Sequence, residues 1–344
     1  MSTRTESTWM FREAAQAPEV LRAQLAANAA PIARLAARLR RLPPRAVITC
    51  ARGSSDNAAT FARYLIETRL GLLTSSAAPS VSSVYEAATD LRDTLLLAIS
   101  QSGASPDLLA VVSRARAAGA HIVALVNAEG SPLAQLADEL LPLHAGPEQA
   151  VAATKSYIAS LAAIVQLVAS WCEDAPLTAA LERAPQQLAH AWQLDWSAAV
   201  RRLTTAASLY VVGRGLGLGI AQEAALKLKE TCGLHAEAIS AAELRHGPMA
   251  LVGAGFPLLV LSQHDESRAG VLQLAEELAR KGADVLLAGA QLPHTTELPS
   301  GSAHPVIEPL LFAQSFYRMA NALALARGHD PDAPPHLRKV TETL

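Results

Sequence analysis

The stretch EAALKLKE, Glu223 to Glu230, sets an acid, a base and a second acid along one line. At roughly 100° per residue, Glu223, Lys227 and Glu230 fall within an arc of about 60° on one helical face. Ala224, Ala225, Leu226 and Leu228 keep the rest of the segment apolar. On a solvated helix this stripe is ordinary i, i+4 pairing, worth a few tenths of a kcal/mol. On a buried one it is equipment for proton transfer, and the residues that follow add to it. His235 and Glu237 stand in HAEA, and Glu243, Arg245 and His246 in AAELRHGPMA. A lone histidine is commonly structural; His246, in a loop pattern before Gly-Pro, is the better candidate for meeting a ligand.

A second constellation suits an anion. In LLLAISQSGASPDLL, Ser105 is a natural N-cap and Pro106 fits the first helical position. The free N–H groups of that helix then face a loop whose Ser100, Gln101, Ser102 and Ser105 are neutral donors, and Gly103 permits close approach. Taken alone, SQSG reads more readily as a polar turn. The loop GSSDN, with Gly53, Ser54 and Ser55, offers converging hydroxyls from another strand end and favours a phosphate. In the matching loop of the second half, SQHDES, the residues His264, Asp265 and Glu266 stand where an anion would be repelled. GRGLGLG lacks the spacing of a dinucleotide fingerprint.

The elements that hold these residues come in two copies. ITCARGSSDNAATFARYLIE and YVVGRGLGLGIAQEAALKLKE both read as strand, glycine turn and helix. Gly53 and Gly215, Ser100 and Ser262, and Gln101 and Gln263 all lie 162 positions apart. Within each copy, short unalternating apolar runs such as Leu95 to Ile99 and Leu258 to Leu261 predict parallel strands buried on both faces, in a doubly wound α/β sheet. The expected division is an N-terminal helical arm over 1–30, a first domain over 31–170 with the phosphate cradle, a helical connector over 171–197, a second domain over 198–328 with the acid-base helix, and an irregular proline-containing tail over 329–344.

Bulk properties agree with two domains. The chain has 344 residues, 51% of them hydrophobic, and a formal charge of -2, which points away from nucleic acid and membrane surfaces. Cys50, Cys172 and Cys232 show neither zinc nor disulfide spacing. No export signal is evident, SYIASLAAIVQLVASW is too short to span a bilayer, and a cytoplasmic protein is expected.

ISQSGASPD, AVAATKSY, EAALKLKE, HAEAISAAELRHGPMAL and PPHLRKV together resemble the isomerase part of glucosamine-6-phosphate synthase, a pair of sugar-isomerase (SIS) domains. The resemblance implies two tandem SIS domains, flavodoxin-like three-layer sandwiches, acting on a phosphorylated amino sugar. It implies that Glu230 moves a proton between C1 and C2, with Glu223 and Lys227 in support. His246 then assists ring opening in the neighbouring subunit's site, and Lys339 is the C-terminal lysine that closes over the sugar. It assigns phosphate contacts to Ser55, Ser100, Gln101, Ser102 and Ser105, and places the Val151 backbone beside the sugar. No metal and no pyridoxal cofactor is implied, and a homodimer with a shared site is. Ala104 replaces an acidic residue of the synthase, and the short segment before the first strand leaves no room for a glutaminase domain. Both features resemble the glutaminase-free deaminase branch, which converts glucosamine 6-phosphate and water to fructose 6-phosphate and ammonia. An ammonia-using or separately supplied synthase, a galactosamine 6-phosphate enzyme and a non-catalytic sugar-phosphate sensor are the alternatives.

Overall fold

The computed structural model describes residues 5–87 and 89–339; the last residues of the expected tail, 340–344, lie outside the described residues. The chain forms two compact units. One takes in Glu19–Glu148, Lys155–Glu182 and the chain from Arg338; the other takes in the chain up to Pro18, Gln149–Thr154 and Arg183–Leu337.

In chain order, helices α1 (Trp9–Ala15) and α2 (Ala17–Arg41) lead into strand β1 (Ala46–Cys50), helix α3 (Ser54–Leu70), strand β2 (Thr74–Ser76) and the short helix α4 (Pro79–Ser83). Strand β3 (Thr94–Ser100), helix α5 (Pro106–Ala117), strand β4 (His121–Val126), helix α6 (Pro132–Leu136), strand β5 (Glu139–Pro142) and helix α7 (Lys155–Trp171) follow. The first sheet is parallel, in the order β2-β1-β3-β4-β5. All seven residues of β3 are buried, so both of its faces are covered, as its unbroken apolar run requires. Leu96, Ala98, Val112, Ile122 and Ala124 share one core there, each Leu, Ile or Val contributing about 1.5–3 kcal/mol by burial.

Helix α8 (Ala175–Ala191) carries Pro185 inside it, and helix α9 (Ser197–Leu203) precedes strand β6 (Ser208–Gly213). Helix α10 (Gly217–Cys232) ends at Gly233, whose φ of 54° is the left-handed stop that glycine supplies without a Cβ penalty. Strand β7 (His235–Ser240), two 3-10 turns (Glu243–His246 and Pro248–Leu251), strand β8 (Pro257–Leu261), helix α11 (Arg268–Arg280), strand β9 (Asp284–Ala288), strand β10 (Thr296–Leu298) and helix α12 (Glu308–Ala326) complete the chain before an irregular segment. The second sheet is also parallel, ordered β10-β9-β8-β6-β7. Read from the other edge, this is the order of the first sheet. The repeat seen in the sequence is therefore a repeat of topology.

In both sheets the order of strand addition reverses, between β1 and β3 in the first and between β6 and β8 in the second. At such a switch point, the loops leaving adjacent strands diverge and open a crevice beyond the carboxyl ends.

Candidate active site

The cradle residues sit at the switch point of the first sheet. β1 and β3 pair in parallel with Cys50 opposite Ala98, which brings the loops after both strands side by side. Gly53 caps α3 with φ 56°, and Ser54 and Ser55 open that helix, partly exposed. Across from them, Ser100 is buried, and its Oγ accepts the Gly103 N–H at 2.9 Å. Gly103 is required sterically: its φ is 62°, and a Cβ there would lie 2.2 Å from Ser131 Oγ. Gln101, Ser102 and Ser105 remain partly exposed around the loop. Ser105 is the N-cap of α5, with Pro106 first in the helix, and its side chain makes no cap hydrogen bond. The donors of the loop thus lie beside the first turn of α5, and free N–H groups at a helix N-terminus favour an anion.

Sequence reasoning missed the clamp between these loops. Arg52 donates from Nε to Asp107 Oδ2 at 2.7 Å, with Nη2 at 2.5 Å from the same oxygen. Asp107 is buried in the first turn of α5, while Arg52 is half exposed. Beneath them, burial pushes the Cys50 thiol up to about 12, so it stays protonated and inert as a nucleophile. Burial likewise raises Asp56, against the lowering influence of Arg52.

The tail contributes to this unit. Lys339 Nζ lies 3.5 Å from Glu148 Oε2. The buried Glu148 carboxylate also accepts the Ser156 N–H at 3.2 Å and the Ser156 hydroxyl at 2.5 Å, at the N-terminal turn of α7. Glu148 stands in AGPEQAVAATK beside the motif that drew attention to Val151, but no spacing rule singles it out.

The acid-base residues occupy the other unit. The stripe on α10 is buried rather than solvated: the Glu223 side chain is 0% exposed, that of Lys227 1% and that of Glu230 21%. Lys227 Nζ donates to Glu230 Oε2 at 2.6 Å and lies 3.3 Å from Glu223 Oε1. Tyr317 on α12, a residue the sequence did not flag, donates its hydroxyl to Glu223 Oε1 at 2.9 Å. Burial is the largest influence on Lys227 and opposes its charge. The two carboxylates together overcome it and hold the pKa above the ordinary lysine value. Glu230 is the most exposed of the three.

His246 ends the first 3-10 turn and is exposed. The neighbouring His235, Glu237, Glu243 and Arg245 are exposed as well, and Arg245 pairs with Glu277 at 2.7 Å. Val151 donates its N–H to Asp332 O at 3.3 Å. The segment before it is anchored by Glu13, buried in α1, whose carboxylate accepts the N–H groups of Gln149 and, at 3.2 Å, Ala150. Among the described residues, no group of three or more His, Cys, Asp and Glu side chains could hold a metal ion, and no helix is long and apolar enough to cross a membrane.

A family model described as the SIS domain matches residues 43–170 and 202–288. The chain is 35% identical over 307 residues to a glutamine–fructose-6-phosphate aminotransferase (isomerizing) of Aeropyrum pernix, covering 83% of this chain and 49% of that protein. It thus spans about half the length of the curated relatives it matches. The crystal structure of a provisionally assigned phosphosugar isomerase from Silicibacter pomeroyi superposes with a TM-score of 0.90 at 43% identity, covering 94% of this chain and 100% of that one. A glucosamine-6-phosphate deaminase from Thermotoga maritima, at 22% identity, shares the fold with a TM-score of 0.77 over 98% of this chain and 100% of that one.

Proposed function

The chain belongs to the SIS domain family, and from that membership we propose that it converts glucosamine 6-phosphate and water to fructose 6-phosphate and ammonia. The observation that carries this reading is the buried Glu223–Lys227–Glu230 line with only Glu230 partly open. In the ring-opened sugar, Glu230 takes the proton from C2 and returns one to C1. This shifts the double bond and leaves an imine at C2, which water hydrolyses to the ketose and ammonia. A single carboxylate serves both carbons when it stands within hydrogen-bond reach of each. Lys227 fixes a positive charge 2.6 Å from that base, suited to the negative charge that develops on the enolamine. Glu223, held by Lys227 and Tyr317, keeps the ammonium in place.

The serine loops of the first sheet would hold the phosphate, and that remote binding would fix the reacting carbons. His246 is assigned to ring opening from the neighbouring subunit, and Lys339 to closure of the tail. The smallest active unit in this reading is a homodimer. A second reading, isomerisation in the direction of synthesis, is favoured by the 35% identity to an aminotransferase.

One assay decides between them. Purified protein is incubated with glucosamine 6-phosphate, with galactosamine 6-phosphate, and with fructose 6-phosphate plus ammonium, while ammonia and ketose are followed. Ammonia release from glucosamine 6-phosphate is expected, and Glu230→Gln should lower it by roughly 10²-fold or more while fructose 6-phosphate still binds. Wild-type turnover in that variant would remove Glu230 from its role.

A further inference from the structure

The second sheet has the same strand order and the same switch-point crevice as the first, yet its loops are already occupied. Asp265, the counterpart of Gly103 in the repeat, bonds the donors of its own loop with its carboxylate. Its Oδ1 accepts the Ser267 N–H at 2.9 Å and the Ser267 hydroxyl at 2.5 Å. Its Oδ2 accepts Gln263 Nε2 at 2.8 Å. Ser267 caps the thirteen-residue α11 and is the counterpart of Ser105, and Gln263 that of Gln101. The donors that stay open in the first repeat are thus bonded to an internal carboxylate in the second.

The carboxylate also spans both loops. A Cβ built on Gly215, the counterpart of Gly53, would lie 3.7 Å from Asp265 Oδ2. The neighbouring backbone donor is taken in the same manner: His264 N–H bonds to the buried Glu308 Oε2 at 2.7 Å, with His264 Nδ1 2.8 Å from Oε1. Two polar oxygens beside the crevice remain without partners, Ser262 Oγ and Gln263 Oε1, on side chains 1% exposed. In the first repeat, Ser100 Oγ receives the Gly103 N–H; in the second, no such bond is made to Ser262. Arg268, bound to Ser262 O at 3.0 Å and Gly289 O at 2.7 Å, and the exposed Arg214 add positive charge around the loop.

We propose that the second repeat is a self-liganded oxyanion site, in which Asp265 takes the place of an external phosphate and thereby limits the chain to one phosphate ligand. A carboxylate tethered within the loop competes at high effective concentration, so free phosphate is excluded while Asp265 is present. Removing it frees the Ser267 N–H and hydroxyl and one of the two N–H bonds of Gln263 Nε2, which keeps its bond to Arg214 O at 2.7 Å, and leaves two arginines set against the carboxylates of Glu266 and Glu308. The proposal rests on the first repeat being a phosphate cradle only for the wild-type count.

The test is equilibrium dialysis with labelled inorganic phosphate on the full chain, for wild type, Asp265→Ser, Asp265→Ala and Asp265→Asn. Serine retains an acceptor for the Ser267 N–H, and asparagine retains the shape. The serine and alanine variants are expected to bind one phosphate more per chain than wild type, with a larger phosphate-dependent rise in thermal midpoint. If the first cradle holds phosphate, the count goes from one to two; if it does not, from none to one. The two readings therefore fail separately. An unchanged count in the folded serine and alanine variants overturns the proposal. Loss of the fold in all three variants with phosphate present does so too, because a ligand that an external anion can replace cannot be indispensable.

Discussion

Tyr317 donates its hydroxyl to Glu223 Oε1 at 2.9 Å, and neither side chain reaches solvent. α12 and α10 are thereby joined behind the face that carries Glu230, and one lysine bridges the two carboxylates. Each charge on the line is stabilised by a neighbour that would itself be uncompensated without it, which makes the line sensitive to single substitutions.

Tyr317→Phe removes one donor from a buried carboxylate and leaves the ring packing unchanged. The expected loss is about 1–3 kcal/mol of stability, read by urea denaturation. If Glu223 acts only by holding Lys227, kcat falls with it while the KM for sugar phosphate stays near the wild-type value. An unchanged midpoint and unchanged kcat would make the hydrogen bond incidental.

Lys227→Met leaves Glu223 and Glu230 without their shared cation and is expected to cost about 3–5 kcal/mol near neutral pH. The pH dependence has a definite sign. The folded pKa of Lys227 is raised, so its contribution is complete below the ordinary value of 10.5 and is lost as pH rises through the higher folded value. The wild-type advantage over Lys227→Met should therefore be flat from neutrality to about pH 10 and shrink above it. Paired denaturation curves across that range check this, and an advantage that grows with alkalinity would contradict it.

Much of this arrangement was legible in the residues. The 162-residue offset predicted two sheets of one topology, and the unalternating run Leu95 to Ile99 predicted a strand buried on both faces. The cap pattern at Ser105 and Pro106 placed the start of α5. What stayed hidden was set by tertiary packing. A stripe of Glu, Lys and Glu has the same spacing whether it faces water or a core, so the full burial of Glu223 could not be read from periodicity. Tyr317 lies 94 positions from Glu223, and Arg52 lies 55 from Asp107; no local pattern links either pair. In the second repeat, the acidic loop suggested repulsion of an anion, and the structure adds that Asp265 bonds the Ser267 N–H and Gln263 Nε2 of that same loop.

Gly103→Ala tests the cradle without touching any ionisable group. Its backbone sits at φ 62°, where an L side chain is strained by about 1–2 kcal/mol. Its new Cβ would also come within 2.2 Å of Ser131 Oγ, at the end of a short side chain that caps α6. The loop must shift to relieve that contact, which breaks the Gly103 N–H bond to Ser100 Oγ and displaces the donors of Gln101 and Ser102. Loss of one charge-assisted hydrogen bond to phosphate corresponds to about 1.5–3 kcal/mol, or roughly 10- to 100-fold in affinity. Weaker binding of fructose 6-phosphate and a lower kcat/KM are expected, while the alkaline behaviour of Lys227 stays that of wild type. A folded variant that binds the sugar phosphate as tightly as wild type would move the anion site away from this loop.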